Sequence, residues 1–177
     1  MNVQLMAPDV DEAARCREDG TGNPGLALGC AMAVLALRGR DKLTISTGPP
    51  MDRFGLWAEQ LIAESTGKES KGILPVEGEP LGAPEAYGDD RFFVRIESRA
   101  DANVHAAFDR LERAGHPTAS FAVTDPLDLG AEMFRWEFAT AVAGAVLGIN
   151  PFDQPNVQEA KDRTNEILSG GALPPRP

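Results

Sequence analysis

Apolar and polar residues follow one another in blocks whose period switches between that of a helix and that of a strand. Asn23-Pro24 opens the first helix with a capping side chain and a Pro at the first helical position, and residues 26–37 follow with almost no charge until Gly39. Residues 41–48 read as a short buried strand running into Pro49-Pro50, and residues 54–65 return as a helix that turns Phe54, Trp57, Leu61 and Ile62 toward a sheet. Residues 71–77 give a short strand, in which Pro75, lacking a ladder donor, indicates an end or edge position. Phe92, Phe93, Val94 and Ile96 make a stronger strand of residues 91–96. Asp101 or Asn103 caps the next helix, where Val104, Phe108 and Leu111 recur at helical spacing up to Gly115, and residues 118–123 supply a further strand. Residues 129–148 form a long helix, apolar on nearly every face beyond Phe138, as expected of an element packed on both sides. A last helix is expected over Pro155–Leu168.

Strands alternating with helices predict an α/β fold: a parallel sheet of four or five strands, covered on both faces, with 91–96 and 118–123 among its central strands. The 177 residues suffice for one medium domain, burying about two-thirds of the surface its unfolded chain would expose. The expected division is an N-terminal extension over 1–22, the domain over 23–169 and a flexible tail over 170–177.

The charge of −10 argues against general nucleic-acid or anionic-membrane binding, both of which need a basic face. It leaves room for a phosphorylated substrate, which needs only a few local donors. Cys16 and Cys30, the only cysteines, lie outside any CxxC or Cys/His ligand spacing, so reduced thiols and no metal are expected. The first 20 residues carry five acids and lack the basic start of a signal peptide, and the apolar run 138–149 is too short to span a bilayer; a cytoplasmic location is expected.

Candidate chemistry gathers in two segments. Glu59-Gln60-Leu61-Ile62-Ala63-Glu64-Ser65-Thr66-Gly67-Lys68 places Glu64 at the end of an amphipathic helix, one turn after Gln60 and directly before a Gly turn. Ser65, Thr66, Gly67, Lys68 and Lys71 supply donors of the kind that cradle a phosphate. The Walker pattern is absent, because Ile62 stands where its first Gly belongs. Far along the chain, Gly148 to Lys161 delivers Gln154 and, seven residues later, Lys161. On composition alone Glu64 is a solvated helix-end acid, Lys161 a solvent-facing charge and Gln154 a cap. Arg53 reads as an anion clamp beside Pro49-Pro50 or, equally well, as an exposed helix-start charge, while His105 and His116 read as structural groups and Trp57 and Trp136 as core.

Glu64-Ser65-Thr66-Gly67-Lys68 resembles the ESxGK signature of the phosphoglucose isomerase family, and Asn150-Pro151-Phe152-Asp153-Gln154 followed by Lys161 resembles its C-terminal signature. The wording around Phe54 to Glu64 and Trp136 to Ala141 looks closest to the isomerase part of bifunctional transaldolase/phosphoglucose isomerase fusions. The similarity runs over about 23–168. It implies a flavodoxin-like, three-layer sugar-isomerase (SIS) domain, the second of a pair, acting on glucose 6-phosphate and fructose 6-phosphate through a cis-enediol without a cofactor. Glu64 matches the base that moves a proton between C2 and C1, and Lys161 the residue that assists ring opening. Gln60 and Gln154 match substrate-binding positions, with Ser65, Thr66, Gly67 and Lys68 beside them. As in open α/β folds generally, the base is expected at the C-terminal edge of the sheet. The resemblance also implies partners: a sugar phosphate, a first SIS domain or second subunit packing against the apolar helices 26–37 and 129–148, and a homo-oligomer. A non-catalytic, sugar-phosphate-binding SIS module is the alternative. The sequence departs from the family after Gly78-Glu79-Pro80, where no ring-opening His follows; His105 is the nearest candidate.

Overall fold

A computed structural model describes residues 22–49, 51–97, 101–123, 125–153 and 155–170. The expected extension, Cys16, Gln154 and nearly all of the tail therefore lie outside the described residues.

Helix α1, Pro24–Leu37, starts as its sequence requires: Asn23 Oδ1 accepts from Leu26 N at 2.8 Å, with Pro24 at the first position. Strand β1, Lys42–Thr47, leads into α2, Phe54–Thr66, and then β2, Leu74–Glu77. Strand β3, Arg91–Glu97, is followed by α3, Ala102–Arg113, whose cap is Asp101, and by β4, Thr118–Ala122. Helix α4 spans Leu129–Leu147 and α5 spans Pro155–Leu168. Gly148 ends α4 in the left-handed region at φ +69, and Ile149 N donates to Gly144 O at 3.0 Å to satisfy one of the last carbonyls.

The four strands pair in parallel in the order β2-β1-β3-β4. Helices flank this sheet on both faces, giving the expected three-layer α/β arrangement. The period of two along the strands decides which residues each face receives. Leu43, Ile45, Phe92, Val94 and Ile96 join the larger core with α1, α2 and α4, while Phe93 joins Phe108 and Leu111 of α3 on the other side. Pro75 falls on edge strand β2, as its missing donor required. One expectation is corrected: residues 118–123 do not supply a central strand. Strand β4 is an edge of the described sheet, half-buried to exposed along its length, because the chain turns from it into α4 across the sheet face. The central strands are β1 and β3.

Trp136 and Phe54 meet edge to face in the larger core, ring centroids 5.8 Å apart, and Trp57 packs half-buried against Phe54. Helices α1 and α4 cover much of each other's apolar surface. Their closest approach needs Gly29, where an added Cβ would stand 2.4 Å from the Ala139 carbonyl oxygen and 2.7 Å from Val142 Cβ. Gly29→Ala is therefore expected to destabilise the chain by about 1–3 kcal/mol, through overpacking. Helix propensity alone would stabilise it by about 1 kcal/mol. Chemical denaturation reads the sign directly, and a raised midpoint would show that the two helices separate at little cost.

Among the described residues, no helix is long and apolar enough to cross a membrane, and no group of three or more His, Cys, Asp or Glu is placed to hold a metal ion.

Candidate active site

Helix α2 leaves the C-terminal end of β1 and runs back along the sheet, so its own end arrives at the opposite edge. There Thr66 is fully buried: its Oγ1 donates to Ile62 O at 2.8 Å and accepts from Ile73 N at 3.0 Å, just before β2 begins. The segment Glu64 to Lys68 thus lies at the N-terminal edge of the strands. The expectation of a base at the C-terminal edge is corrected by this geometry, since a crossover helix that follows a parallel strand must finish where the next strand starts.

Glu64 is exposed, one turn from Gln60, whose Nε2 donates to Glu64 Oε1 at 3.1 Å and orients the carboxylate. The carboxylate sits in the last turn of α2, at the negative end of the helix dipole, a placement that costs an acid about 0.3–1 kcal/mol. Ser65 is half-buried and Gly67 exposed. Gly67 is needed for space, because a Cβ there would stand 2.7 Å from Ala63 O.

Lys68 reaches away from this surface. Its side chain is buried, and Nζ donates to Asn150 O at 2.8 Å, to Asp153 Oδ1 at 2.8 Å and to the Asp153 carbonyl. All three ammonium donors are thereby occupied within the protein. Lys71 does a related job, donating from Nζ to Leu147 O at 3.1 Å and so placing a cation at the C-terminal end of α4. Between the two lysines, Glu69 and Ser70 both adopt left-handed backbone, φ 55 and 58, which non-Gly residues seldom hold. Anchors on either side keep this turn in place. The signature lysine is thus a staple between the two motifs, a role that spacing along the chain did not disclose.

The staple brings the loop 150–153 to the end of α2, and α5 departs directly from it. Every described side chain of α5 is exposed except Ile167, which is half-buried. Lys161 stands two turns into this helix and lines a shallow hollow with Asp153, Pro155, Val157 and Gln158. Glu64 does not line that hollow; Lys68, four residues after it, is tied to Asp153, which does. Gln154 lies outside the described residues. Phe152, beside the hollow, is 83% exposed.

The two histidines are placed as structural groups. His116 is buried against Phe93 and Tyr87, with Nε2 3.4 Å from Pro84 O, and His105 Nε2 lies 2.5 Å from Glu97 Oε1 near the opposite edge of the sheet. His105 therefore belongs to a different part of the molecule from Glu64. Arg53 is exposed at the start of α2 and makes no side-chain capping bond there.

No family model matches the chain. Over 194 aligned positions it is 30% identical to glucose-6-phosphate isomerase of Rubrobacter xylanophilus, covering 84% of this chain and 45% of that protein. The chain is similar to one portion of a glucose-6-phosphate isomerase. A second such enzyme, from Lactobacillus helveticus, is 28% identical over 159 positions, covering 68% of this chain and 36% of the relative. The chain spans less than half the length of these curated relatives. Among solved structures, a hypothetical protein from Thermus thermophilus superposes with a TM-score of 0.74 at 17% identity, over 93% of this chain and 50% of that one. A glucose-6-phosphate isomerase from Chlamydia trachomatis gives 0.65 at 15% identity, over 94% and 42%. At these identities the structural likeness shows the fold.

Proposed function

We propose that this chain is the C-terminal SIS domain of a glucose-6-phosphate isomerase, of the type fused to transaldolase, interconverting glucose 6-phosphate and fructose 6-phosphate through a cis-enediol. The observation that carries the reading is the Lys68 staple, which draws together the two sequence signatures the resemblance singles out, 82 to 85 residues apart along the chain. Glu64 is the base: held by Gln60, it takes the C2 proton of the open-chain aldose and returns it to C1, so the carboxylate is regenerated at each turnover. Lys161 donates to the ring or hydroxyl oxygen as the ring opens. Gln60, Ser65 and Gly67, in α2 and at its end, meet the substrate's hydroxyls and phosphate in this reading, and the family resemblance assigns Gln154 to the same task.

Both Glu64 and Lys161 are exposed, and a base of this kind works best when water is excluded. The reading therefore requires a covering partner: a first SIS domain, or a second subunit of a homo-oligomer, laid over the end of α2 and along α5. A bare helix of 14 residues is marginal by itself, which also favours a covered α5 in the working assembly. The soluble compartment proposed is the cytoplasm.

The test is an isomerase assay of the chain alone and fused to the portion of the Rubrobacter enzyme that it does not span. Turnover only in the fused form supports the proposal, whereas sugar-phosphate binding without turnover in either form transfers it to a non-catalytic, ligand-sensing module. Lys161→Ala separates the steps further. It is expected to slow the cyclic sugar about 10²-fold while leaving an open-chain analogue nearly unaffected, and equal losses on both substrates would remove Lys161 from ring opening.

A further inference from the structure

We propose that the crevice between the C-terminal ends of β1 and β3 is a second ligand site, one that takes a neutral polyhydroxylated molecule. From β1 the chain steps to β2 on one side of the sheet and then to β3 on the other, so the connections diverge between β1 and β3. Such a switch point leaves a crevice beyond the strand ends, where open α/β sheets bind ligands. A hollow of about 510 Å³ lies there, lined by Ser46 and Thr47 of β1, Arg95 and Glu97 of β3, and Asp101 and Val104 at the start of α3. It is at the opposite edge of the sheet from Glu64 and Lys68, and it stands independently of the isomerase reading.

The chemistry of the walls selects the ligand. Arg95 and Glu97 are each only 13% exposed, with Arg95 Nε 3.2 Å from Glu97 Oε1 and the guanidinium carbon 5.1 Å from the centre of the Phe108 ring. A buried ion pair of this sort is weak support for stability, since apolar residues of similar volume serve a core as well or better. Its place in the wall of a hollow marks a polar guest. The N-terminus of α3 is no seat for an anion: Asp101 Oδ1 already accepts from Asn103 N at 2.8 Å and Val104 N at 3.4 Å. Glu97 and Asp101 together outweigh Arg95, and His105, at 2.5 Å from Glu97 Oε1, is tied to the same carboxylate. A phosphate is therefore disfavoured. Hydroxyl groups both donate and accept, so they match a wall offering carboxylate acceptors, a guanidinium donor and the hydroxyls of Ser46 and Thr47. Val104 supplies apolar surface for the C–H face of such a molecule.

The experiment is an amide NMR titration of the 177-residue chain with the hexitol sorbitol and, separately, with glucose 6-phosphate. Sorbitol is expected to give saturable shifts at Thr47, Gly48 and Glu97, with a dissociation constant at least ten times weaker in Glu97→Gln. Thr47→Val, which keeps the β-branched shape, should weaken binding in the same direction with the remaining spectrum unchanged, so that a misfolded Glu97 variant would not decide the matter. Absence of saturation at the solubility limit of sorbitol would overturn the proposal. So would shifts confined to α5, or glucose 6-phosphate occupying the crevice more tightly than the hexitol.

Discussion

Glu64→Gln is expected to lower isomerase turnover by about 10²–10⁴-fold, the usual worth of a positioned general base, in the chain completed by the remaining portion of a relative. Gln has the same shape and keeps a hydrogen bond with Gln60, but it cannot take the C2 proton. Binding of the sugar phosphate should change little, so the loss should appear in kcat with KM nearly constant. The measurement is steady-state kinetics in the aldose-to-ketose direction, with binding followed separately by calorimetry. Retention of substantial turnover would end the catalytic assignment of Glu64 and leave the ligand-sensing module in its place.

Lys68→Met tests the staple. Met fills much of the same buried volume but makes none of the three hydrogen bonds, and it takes the charged donor away from the Asn150 and Asp153 carbonyls, where the bonds are part-buried. Each lost bond to a charged donor is worth about 1.5–3 kcal/mol where no water replaces it. Asp153 is half exposed and regains solvent, so a net loss of about 2–4 kcal/mol is expected. Hydrogen exchange should show the damage concentrated in residues 147–153 and at the end of α2. In the completed enzyme the same substitution should depress turnover along with stability, because it frees the loop that carries α5. If exchange in that loop is unchanged while the rest of the chain opens faster, Lys68 is an ordinary core contributor and the link between the two motifs lies elsewhere.

Much of this protein is legible locally. Asn23-Pro24, Asp101 and Gly148 each set a helix end through bonds that reach no further than five residues, and they do so at the expected places. The alternation in Phe92, Phe93, Val94 and Ile96 marked a buried strand, and β3 carries those side chains into two separate cores. Pro75 announced an edge. Residues 118–123, read as equally central, gave no comparable signal, because edge status depends on what fails to pair on the far side of a strand.

The site divides in the same way. Two short signatures singled out Glu64 and Lys161 as candidates and pointed to the likeness to glucose-6-phosphate isomerases, since a motif is a local string. Spacing could not tell that Lys68 would turn inward to bind a loop 82 to 85 residues away, or that Thr66 would be buried beneath β2. It also placed the motif at the wrong edge of the sheet. By itself the sequence determined the elements, their ends and the alternation that makes a parallel α/β sheet, because caps, periodicity and turn glycines act within a few residues. Only the tertiary structure decided strand order, the edge reached by α2 and the partners of each lysine, because those follow from crossover direction and from contacts between segments that meet only once the sheet has formed.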